Sequence, residues 1–312
     1  LRAAASTGFR APGLGQSYFS KVITNVIAGQ TVDIGVFPVD HPAALALGAK
    51  PLQEETSVNY SAGFAFTPLQ NLTFTVDYFR IAISDRIMLG ATFDDDTSLA
   101  ILGRAGYGDI AGVQYFTNGL DTRTQGVDLT GDWQIPYFAS GTLNLTASVN
   151  YAQNRITRVD PLPAVLANSS EPGLIDTVTT LAIERERPDW RATVSAVYSV
   201  GQFHALLRSN YYGGFRSAQP GYCDQCGDSY GAKTLWDLEF GYRLGIFELS
   251  IGARNLTDVY PDKPHSATLL DPSGTDTATD YNTNYGTFPW AAASPFGYNG
   301  RYVYTRVSMR LP

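Results

Sequence analysis

The sequence is poor in charged residues, and above all in lysine. Charged residues make up 16% of the 312 positions, and only four of the 22 basic residues are lysine. Soluble domains usually carry about 25% charge. The net charge of -7 disfavours nucleic acid as a partner, because nucleic-acid binding normally needs a basic patch. No apolar run approaches about 18 residues, which excludes a membrane-spanning helix.

The signatures of catalysis are also missing. The three histidines, His41, His204 and His265, lie in unrelated segments. The sequence contains no G-x-S-x-G, no H-E-x-x-H and no phosphate-binding loop. It therefore predicts a protein that is not an enzyme and that has no catalytic residue, metal site or cofactor.

The chain begins at Leu1 and shows none of the segments of a signal peptide. We expect it to be a piece of a longer protein. Its hydrophobic content of 44% indicates a folded chain and not a disordered one.

Apolar and polar residues alternate repeatedly, as in 58–66, 142–151, 190–198 and 247–254. Side chains of a strand point alternately to opposite faces, so each run predicts a strand with one apolar and one polar face. No window shows a helical period, and the loss of alternation near Tyr78 and Phe79 predicts a bulge. The ten predicted strands are 1–9, 55–66, 71–89, 120–135, 141–157, 188–200, 203–213, 233–244, 246–256 and 299–311.

The connections between these strands alternate between short and long. Short turns fall near 68–70, 136–140, 200–202 and 244–245, whereas the long loops are 10–54, 90–119, 158–187, 214–232 and 257–298. Bacterial outer-membrane barrels have short turns at one end and long loops at the other. A soluble β-sandwich or propeller also alternates. Loops this long and polar faces rich in Ser, Thr, Asn and Gly favour the membrane barrel over these alternatives.

Several segments of the chain carry motifs of a known family. They are Arg2 to Pro12 (RAAASTGFRAP), Glu54 to Tyr60 followed by Gly63, Asp77-Tyr78-Phe79 through Asp85-Arg86-Ile87, Thr124 to Asp128 (TQGVD), Asn255 to Asp258 (NLTD) with Tyr260, and the final strand from Phe296 to Pro312. Together they cover nearly the whole chain, and they resemble the C-terminal part of TonB-dependent outer-membrane receptors.

The resemblance implies an all-β fold, an antiparallel transmembrane β-barrel of 22 strands. Residues 1–312 would be a single-domain fragment that holds the last ten strands, with the N-terminal plug missing from it. The implied function is TonB-energised uptake of a ferric siderophore or an oligosaccharide across the bacterial outer membrane. The implied partners are the TonB complex, reached through the plug, and outer-membrane lipid. A passive porin-like channel and a secreted adhesive or enzymatic β-protein stay open as alternatives.

Charged residues of the strands are expected to face the barrel lumen, since a charge facing lipid costs about 2–4 kcal/mol at the midplane. We expect them to contact the plug, the alternative being a merely hydrated wall. These residues are Asp77, Asp128, Asp132, Arg191, Arg208, Asp237, Glu239, Arg243, Glu248, Arg254, Arg306 and Arg310. Aromatic residues near strand ends are expected to form interfacial girdles. The candidates are Trp133, Tyr137, Phe138, Trp190, Tyr198, Tyr211, Tyr212, Trp236, Tyr302 and Tyr304.

The long loops are expected to recognise the ligand. Their summed charge of about -10 disfavours a strongly anionic ferric catecholate and leaves neutral sugars, hydroxamate siderophores and cationic chelates open. The alternatives are a solvated acidic loop tip and an aromatic loop that folds onto itself. The candidate ligand-binding residues are Asp94, Asp95, Asp96, Tyr281, Tyr285, Trp290 and Tyr298.

The two cysteines, Cys223 and Cys226, form a C-x-x-C in loop 214–232. This spacing in an extracellular loop favours a small disulfide. A metal site would need two further ligands, and a redox motif would need a βαβ context, which the strand pattern does not provide.

Overall fold

The computed structural model describes residues 1–27, 30–218, 227–263, 290–291 and 293–310. Ten strands of a twelve-stranded sheet follow one another along an antiparallel path. These strands are β1 (Arg2–Arg10), β4 (Glu55–Leu69), β5 (Leu72–Leu89), β6 (Gly112–Phe138), β7 (Gly141–Val159), β8 (Trp190–Val200), β9 (Phe203–Tyr212), β12 (Lys233–Leu244), β13 (Phe247–Arg254) and β14 (Tyr302–Met309). All ten predicted strands are present, and the predicted antiparallel all-β architecture is confirmed.

The order of the strands in the sheet follows their order in the chain. The path runs β1-β4-β5-β6-β7-β8-β9-β12-β13-β14, so that each strand pairs with its neighbours along this path. Strands β1 and β14 are its two ends, and no pairing between them occurs in the described part of the chain. No helix within those same ranges has both the length and the apolar character needed to cross a bilayer.

Tight turns close one end of the sheet, between β4 and β5, β6 and β7, β8 and β9, and β12 and β13. At each turn the backbone enters the left-handed region, at Asn71, Ser140, Gly201 and Gly245, with φ between 58° and 68°. Asparagine and glycine adopt this region at little cost, which explains why the chain reverses at Asn71, Gly201 and Gly245. We call this the short-turn end and the opposite one the long-loop end.

Continuous register sorts the side chains into two faces. Val149, Ala192, Tyr211 and Thr234 lie in one row across β7, β8, β9 and β12 and belong to the apolar face. The apolar face is open: Ile251 is 55% exposed and Val194 is 49% exposed. An exposed apolar surface that continues across many strands indicates contact with lipid or with another protein.

The predicted bulge at Tyr78 and Phe79 is wrong. The register of β5 runs without a shift from Leu72 to Ile83, and its irregularities come later, around Arg86. Alternation is retained at Phe79, whose ring lies on the polar face and covers Gly126 of β6; a Cβ at Gly126 would come within 2.6 Å of that ring. The large apolar residue on the polar face fills the space that a glycine leaves open.

The long connections contain short strands and helices that were not predicted from the sequence. The helices were missed because segments of five to nine residues are too short to show a helical period. The additional strands are β2 (Lys21–Ile27), β3 (Gln30–Phe37), β10 (Phe215–Ala218) and β11 (Gly227–Tyr230). The helices are α1 (Leu14–Tyr18), α2 (Pro42–Ala46), α3 (Asp96–Arg104) and α4 (Thr177–Glu184), with a 3₁₀ turn at Ala164–Leu166. Strand β6 starts at Gly112, earlier than predicted, because its first residues pair in parallel with β3.

The buried core of the chain lies among these connections and not on the sheet faces. Residues from 37–49, 93–120 and 166–175 bury their side chains against one another. The core comprises Phe37, Ala43, Ala44, Leu47, Ala49, Phe93, Leu102, Val113, Tyr115, Leu120, Leu166, Leu174 and Ile175. We call this assembly the loop layer. In the loop layer, side chains from three long loops pack against one another at the long-loop end.

Candidate functional site

The polar face of the sheet gathers the charged strand residues that the sequence singled out. In one row across β5 to β9, Asp77 pairs with Asp128, Asp128 with Asn150, Asn150 with Arg191, and Arg191 with Tyr212. Asp132, Arg208, Asp237, Glu239, Arg243, Glu248, Arg254 and Arg306 occupy the same face by register. Arg310 continues the alternation beyond β14, and its amide donates to Ile246 O at 2.9 Å. Their plug contacts stay a prediction.

A cluster around Glu239 lies towards the short-turn end of this face. Tyr304 Oη donates to Glu239 Oε2 at 2.5 Å, and Arg306 Nη2 donates to Glu239 Oε1 at 2.7 Å. His204 Nε2 lies 3.6 Å from Glu239 and 3.9 Å from Glu248. The His204 ring lies over Gly241, where a Cβ would come within 1.9 Å of it, so any side chain at position 241 would displace the imidazole.

A second network lies at the long-loop end, and its members were not selected from the sequence as site residues. Arg10 donates to both carboxylate oxygens of Glu55, at 2.9 and 2.5 Å. The buried amide of Ile87 donates to the same carboxylate at 2.7 Å. Away from that end, Arg2 pairs in the same way with Asp77, which was selected from the sequence, across β1, β4 and β5. Arg10 and Glu55 are on adjacent strands, and Arg2 and Asp77 are two strands apart, each pair at matching alternation. Finding either pair in the sequence required knowledge of the register.

Seven of the charges singled out on the polar face form no ion pair among the described residues, namely Asp128, Asp132, Arg191, Arg208, Asp237, Arg254 and Arg310. Asp128 accepts a hydrogen bond from Asn150 Nδ2 at 2.6 Å, and Asp132 accepts one from Thr146 Oγ1 at 2.9 Å. Arg191 and Arg208 donate to no carboxylate in the described ranges. The face therefore offers both signs of charge to a polar partner. No group of three or more His, Cys, Asp and Glu within those ranges could hold a metal ion.

The aromatic girdle candidates divide between the two faces. Trp133, Trp190, Tyr198, Tyr211 and Trp236 lie on the apolar face, as predicted for a girdle. The expectation is wrong for Tyr212, Tyr302 and Tyr304, which lie on the polar face by register. Their proximity to strand ends suggested a girdle, but alternation decides the face. Tyr137 and Phe138 are the last two residues of β6, next to the turn into β7.

The acidic run at 94–96 has an internal structural role in the loop layer. Asp95 caps α3 and accepts hydrogen bonds from the amide and hydroxyl of Ser98. It also accepts from Ser169 Oγ at 3.0 Å and from the amide of Ser170 at 3.1 Å. Burial alone would raise the pKa of Asp95, but these hydrogen bonds outweigh it and hold the pKa below its ordinary value. Asp95 is thus occupied with protein donors, whereas Asp94 and Asp96 are exposed.

Replacing Asp95 with alanine is expected to loosen the connection between α3 and 169–170. An N-cap contributes about 1 kcal/mol, and the two cross-loop hydrogen bonds add to it, so we expect about 2 kcal/mol of local destabilisation. Amide hydrogen exchange in 96–104 of the full-length protein would measure it. Asp96→Ala, which removes only an exposed charge near the helix N-terminus, is the control and should change exchange by a few tenths of a kcal/mol. Equal effects of both variants would contradict this role of Asp95.

Lowering the pH should reproduce the local destabilisation expected for Asp95→Ala. The folded-state pKa of Asp95 is lowered, so its stabilising contribution is complete above the unfolded-state pKa of about 3.9. The contribution disappears as the pH falls through the lower folded-state value.

Two of the aromatic candidates in the last loop fall within the described residues. The Trp290 ring stacks on Tyr260, with 5.1 Å between ring centroids, and Lys263 Nζ lies 5.7 Å from the Trp290 centroid. Tyr298 Oη donates to Ala291 O at 3.2 Å. Part of this aromatic surface therefore packs within the loop itself. Tyr281, Tyr285, Cys223 and Cys226 lie outside the described residues.

Comparison with known proteins identifies relatives of the chain. The family model described as "TonB dependent receptor-like, beta-barrel" matches residues 1–256. No curated protein sequence matches the chain.

Solved structures resemble the chain over almost its whole length. The copper transporter OprC aligns with a TM-score of 0.55 at 17% identity, over 98% of this chain and 36% of its own. A variant of the ferric enterobactin receptor PfeA from Pseudomonas aeruginosa aligns with a TM-score of 0.56 at 17% identity, over 98% and 37%. The siderophore receptor PirA from Acinetobacter baumannii aligns with a TM-score of 0.54 at 15% identity, over 98% and 38%. The chain thus spans little more than a third of each relative, and the likeness concerns the fold.

Proposed function

Because the chain belongs to the family of TonB-dependent receptor β-barrels, we propose that it forms part of the wall of an outer-membrane receptor that imports a metal chelate. The apolar face contacts outer-membrane lipid. The polar face lines the lumen. The observation that carries the proposal is the match over residues 1–256, joined to the segregation of all but three of the regularly paired strand charges onto one face.

In this proposal the polar face holds a plug domain that the longer protein supplies. A wall of ion pairs and hydrogen bonds suits a partner that must be released during transport. Exposed pairs contribute only about 0–1 kcal/mol each, so force can break them one after another. Asp128, Asp132, Arg191 and Arg208 form no ion pair in the described wall and are among the residues that a plug can pair with. TonB acts on that plug and supplies the energy.

A ferric siderophore or another metal chelate is the favoured ligand. The relatives are named as a copper transporter, a ferric enterobactin receptor and a siderophore receptor. The acidic loops of this chain favour a neutral or cationic chelate over a strongly anionic one. These names do not support oligosaccharide uptake, which the growth experiment below tests as the alternative.

The test is growth of the native bacterium under iron limitation with single ferric siderophores as iron source. A strain deleted for the full-length gene should fail to grow on at least one hydroxamate or cationic chelate, and the wild-type gene should restore growth. Restoration should disappear when TonB is deleted. Growth that depends on the gene but not on TonB would establish the passive channel instead. A defect confined to an oligosaccharide as carbon source would overturn the choice of metal chelate.

A further inference from the structure

Only three charged residues lie on the apolar face within the regular register of the ten strands, and all three are arginines. Arg80 on β5 pairs with Gln125 on β6, and Arg123 on β6 pairs with Arg155 on β7. The three strands are adjacent. All other residues of that face in the regular register are uncharged. We call Arg80, Arg123 and Arg155 the arginine patch.

The patch lies next to an aromatic row. Tyr78, Val127, Tyr151 and Trp190 are paired in succession across β5 to β8. Tyrosine and tryptophan on a lipid-facing surface mark the membrane–water interface. Arg80 is two residues beyond Tyr78 towards the long-loop end, and Arg155 is four residues beyond Tyr151. These steps correspond to about 7 and 13 Å along the strands. The patch is therefore at the level of the lipid headgroups on that side.

In the described part of the chain, no arginine of the patch lies within ion-pair distance of a carboxylate. Arg123 and Arg155 are directly opposite each other, an arrangement that destabilises a sheet when both residues carry the same charge. Arg155 Nε donates to the neutral Gln153 Oε1 at 3.0 Å. Arg123 Nε is buried and has no acceptor among the described residues. Asp189 interacts electrostatically with Arg155 of the patch: burial raises the pKa of Asp189, and the charges of Arg185 and Arg155 oppose that shift. An anion between the guanidinium groups would remove the repulsion and satisfy the buried N–H.

We propose that the arginine patch binds a phosphate group on the headgroup of an outer-leaflet glycolipid. Guanidinium groups bind phosphate oxygens in a bidentate manner, and they are more weakly hydrated than ammonium groups. The aromatic row places the acyl chains of such a lipid beside the open apolar face and its phosphate beside the patch. The inference rests on the proposed position of these strands in the outer membrane.

The test uses the full-length receptor purified in a non-ionic detergent, with bound lipid measured by native mass spectrometry. The probes are bisphosphorylated lipid A, dephosphorylated lipid A and inorganic phosphate. Each cation near an anionic membrane surface contributes about fivefold in affinity. The variant R80Q/R123Q/R155Q should therefore bind bisphosphorylated lipid A about 100-fold more weakly than the wild type. A triple lysine variant keeps the charge but loses the bidentate geometry, so it should retain part of the binding.

Arg104→Gln at the exposed C-terminal end of α3 is the matched control and should bind lipid A as the wild type does. Equal binding of phosphorylated and dephosphorylated lipid A, or unchanged binding by the glutamine variant, would overturn the proposal. Displacement of lipid A by millimolar inorganic phosphate would assign the site to the free ion and overturn the lipid as its source. Fractionation of the cells that produce the receptor distinguishes failure of the lipid-binding proposal from failure of the proposed function. A wild-type protein absent from the outer membrane would overturn the proposed function itself.

Discussion

Replacing Phe93 with alanine is expected to cost the loop layer about 3–5 kcal/mol, the range for truncating a fully buried phenylalanine. Phe93 has no exposed surface and stacks on Tyr115, with 5.5 Å between ring centroids. Its backbone pairs with Val113 at 3.0 Å and would be retained in the variant. The truncation therefore leaves a cavity at the point where the loops 30–49, 93–120 and 166–175 meet.

The loss of stability in Phe93→Ala should be confined to the loop layer. The loop layer has its own buried core, whereas the sheet is held by backbone pairing, so the loops can open without unfolding the strands. Hydrogen exchange in the full-length protein should speed up in 30–49 and 93–120 and stay unchanged in β7 to β9. Leu45→Ala, on the 51% exposed leucine of α2 in the same layer, is the matched control and should have little effect. Equal exchange in both variants would contradict a cooperative loop layer.

A preorganised loop layer also bears on ligand recognition. Loops that are already ordered lose less conformational entropy when they bind a ligand. We therefore expect Phe93→Ala to weaken binding of any ligand that the loops recognise, although Phe93 is buried and contacts no solvent.

Replacing Glu55 with alanine is the second large change, with an expected loss of about 2–3 kcal/mol. The carboxylate is the acceptor for the buried amide of Ile87, and an unsatisfied buried donor costs about 1–3 kcal/mol. The rest comes from the bidentate pair with Arg10. That share is modest, because the Arg10 side chain is 59% exposed and stays hydrated when its partner is removed.

The adjacent Glu54 offers a matched control for Glu55. Glu54 is exposed, and Glu54→Ala should change stability by no more than about 0.5 kcal/mol. Glu55→Gln separates the two contributions, since its amide oxygen still accepts from Ile87 while the ion pair is lost. Denaturant unfolding of the full-length protein in detergent would measure all three variants. A Glu54 variant as unstable as the Glu55 variant would show that general charge, and not this network, stabilises the end of β4.

Much of the fold was predictable from the sequence because alternation is a local property. The runs at 58–66 and 142–151 each show a strand and its two faces without knowledge of any partner. The tight turns were predictable for the same reason, since Gly201 and Gly245 adopt backbone angles that few other residues tolerate. The polar-face residues from Asp128 to Arg306 followed from alternation alone.

The errors came from positions where alternation is not the controlling factor. Phe79 disturbs the pattern, yet it stays in register because Gly126 on the next strand leaves room for its ring. Tyr212, Tyr302 and Tyr304 were assigned by their distance from the strand ends, while their face depends on register. The hydrogen bonds of Asp95 to 169–170, a segment more than 70 residues away, were likewise not predictable from alternation, while ligand binding by Asp94, Asp95 and Asp96 stays a prediction.

The sequence by itself determined the strands, the turns, the two faces and, through its motifs, the family. Each of these depends on neighbours that are close in sequence or on short motifs with fixed spacing along the chain. Only the tertiary structure decided the pairing of Arg10 with Glu55, the buried core of the loop layer and the grouping of Arg80, Arg123 and Arg155. The physical reason is that register brings together residues from strands that are far apart in sequence, and a shift of one residue would have moved every side chain to the other face.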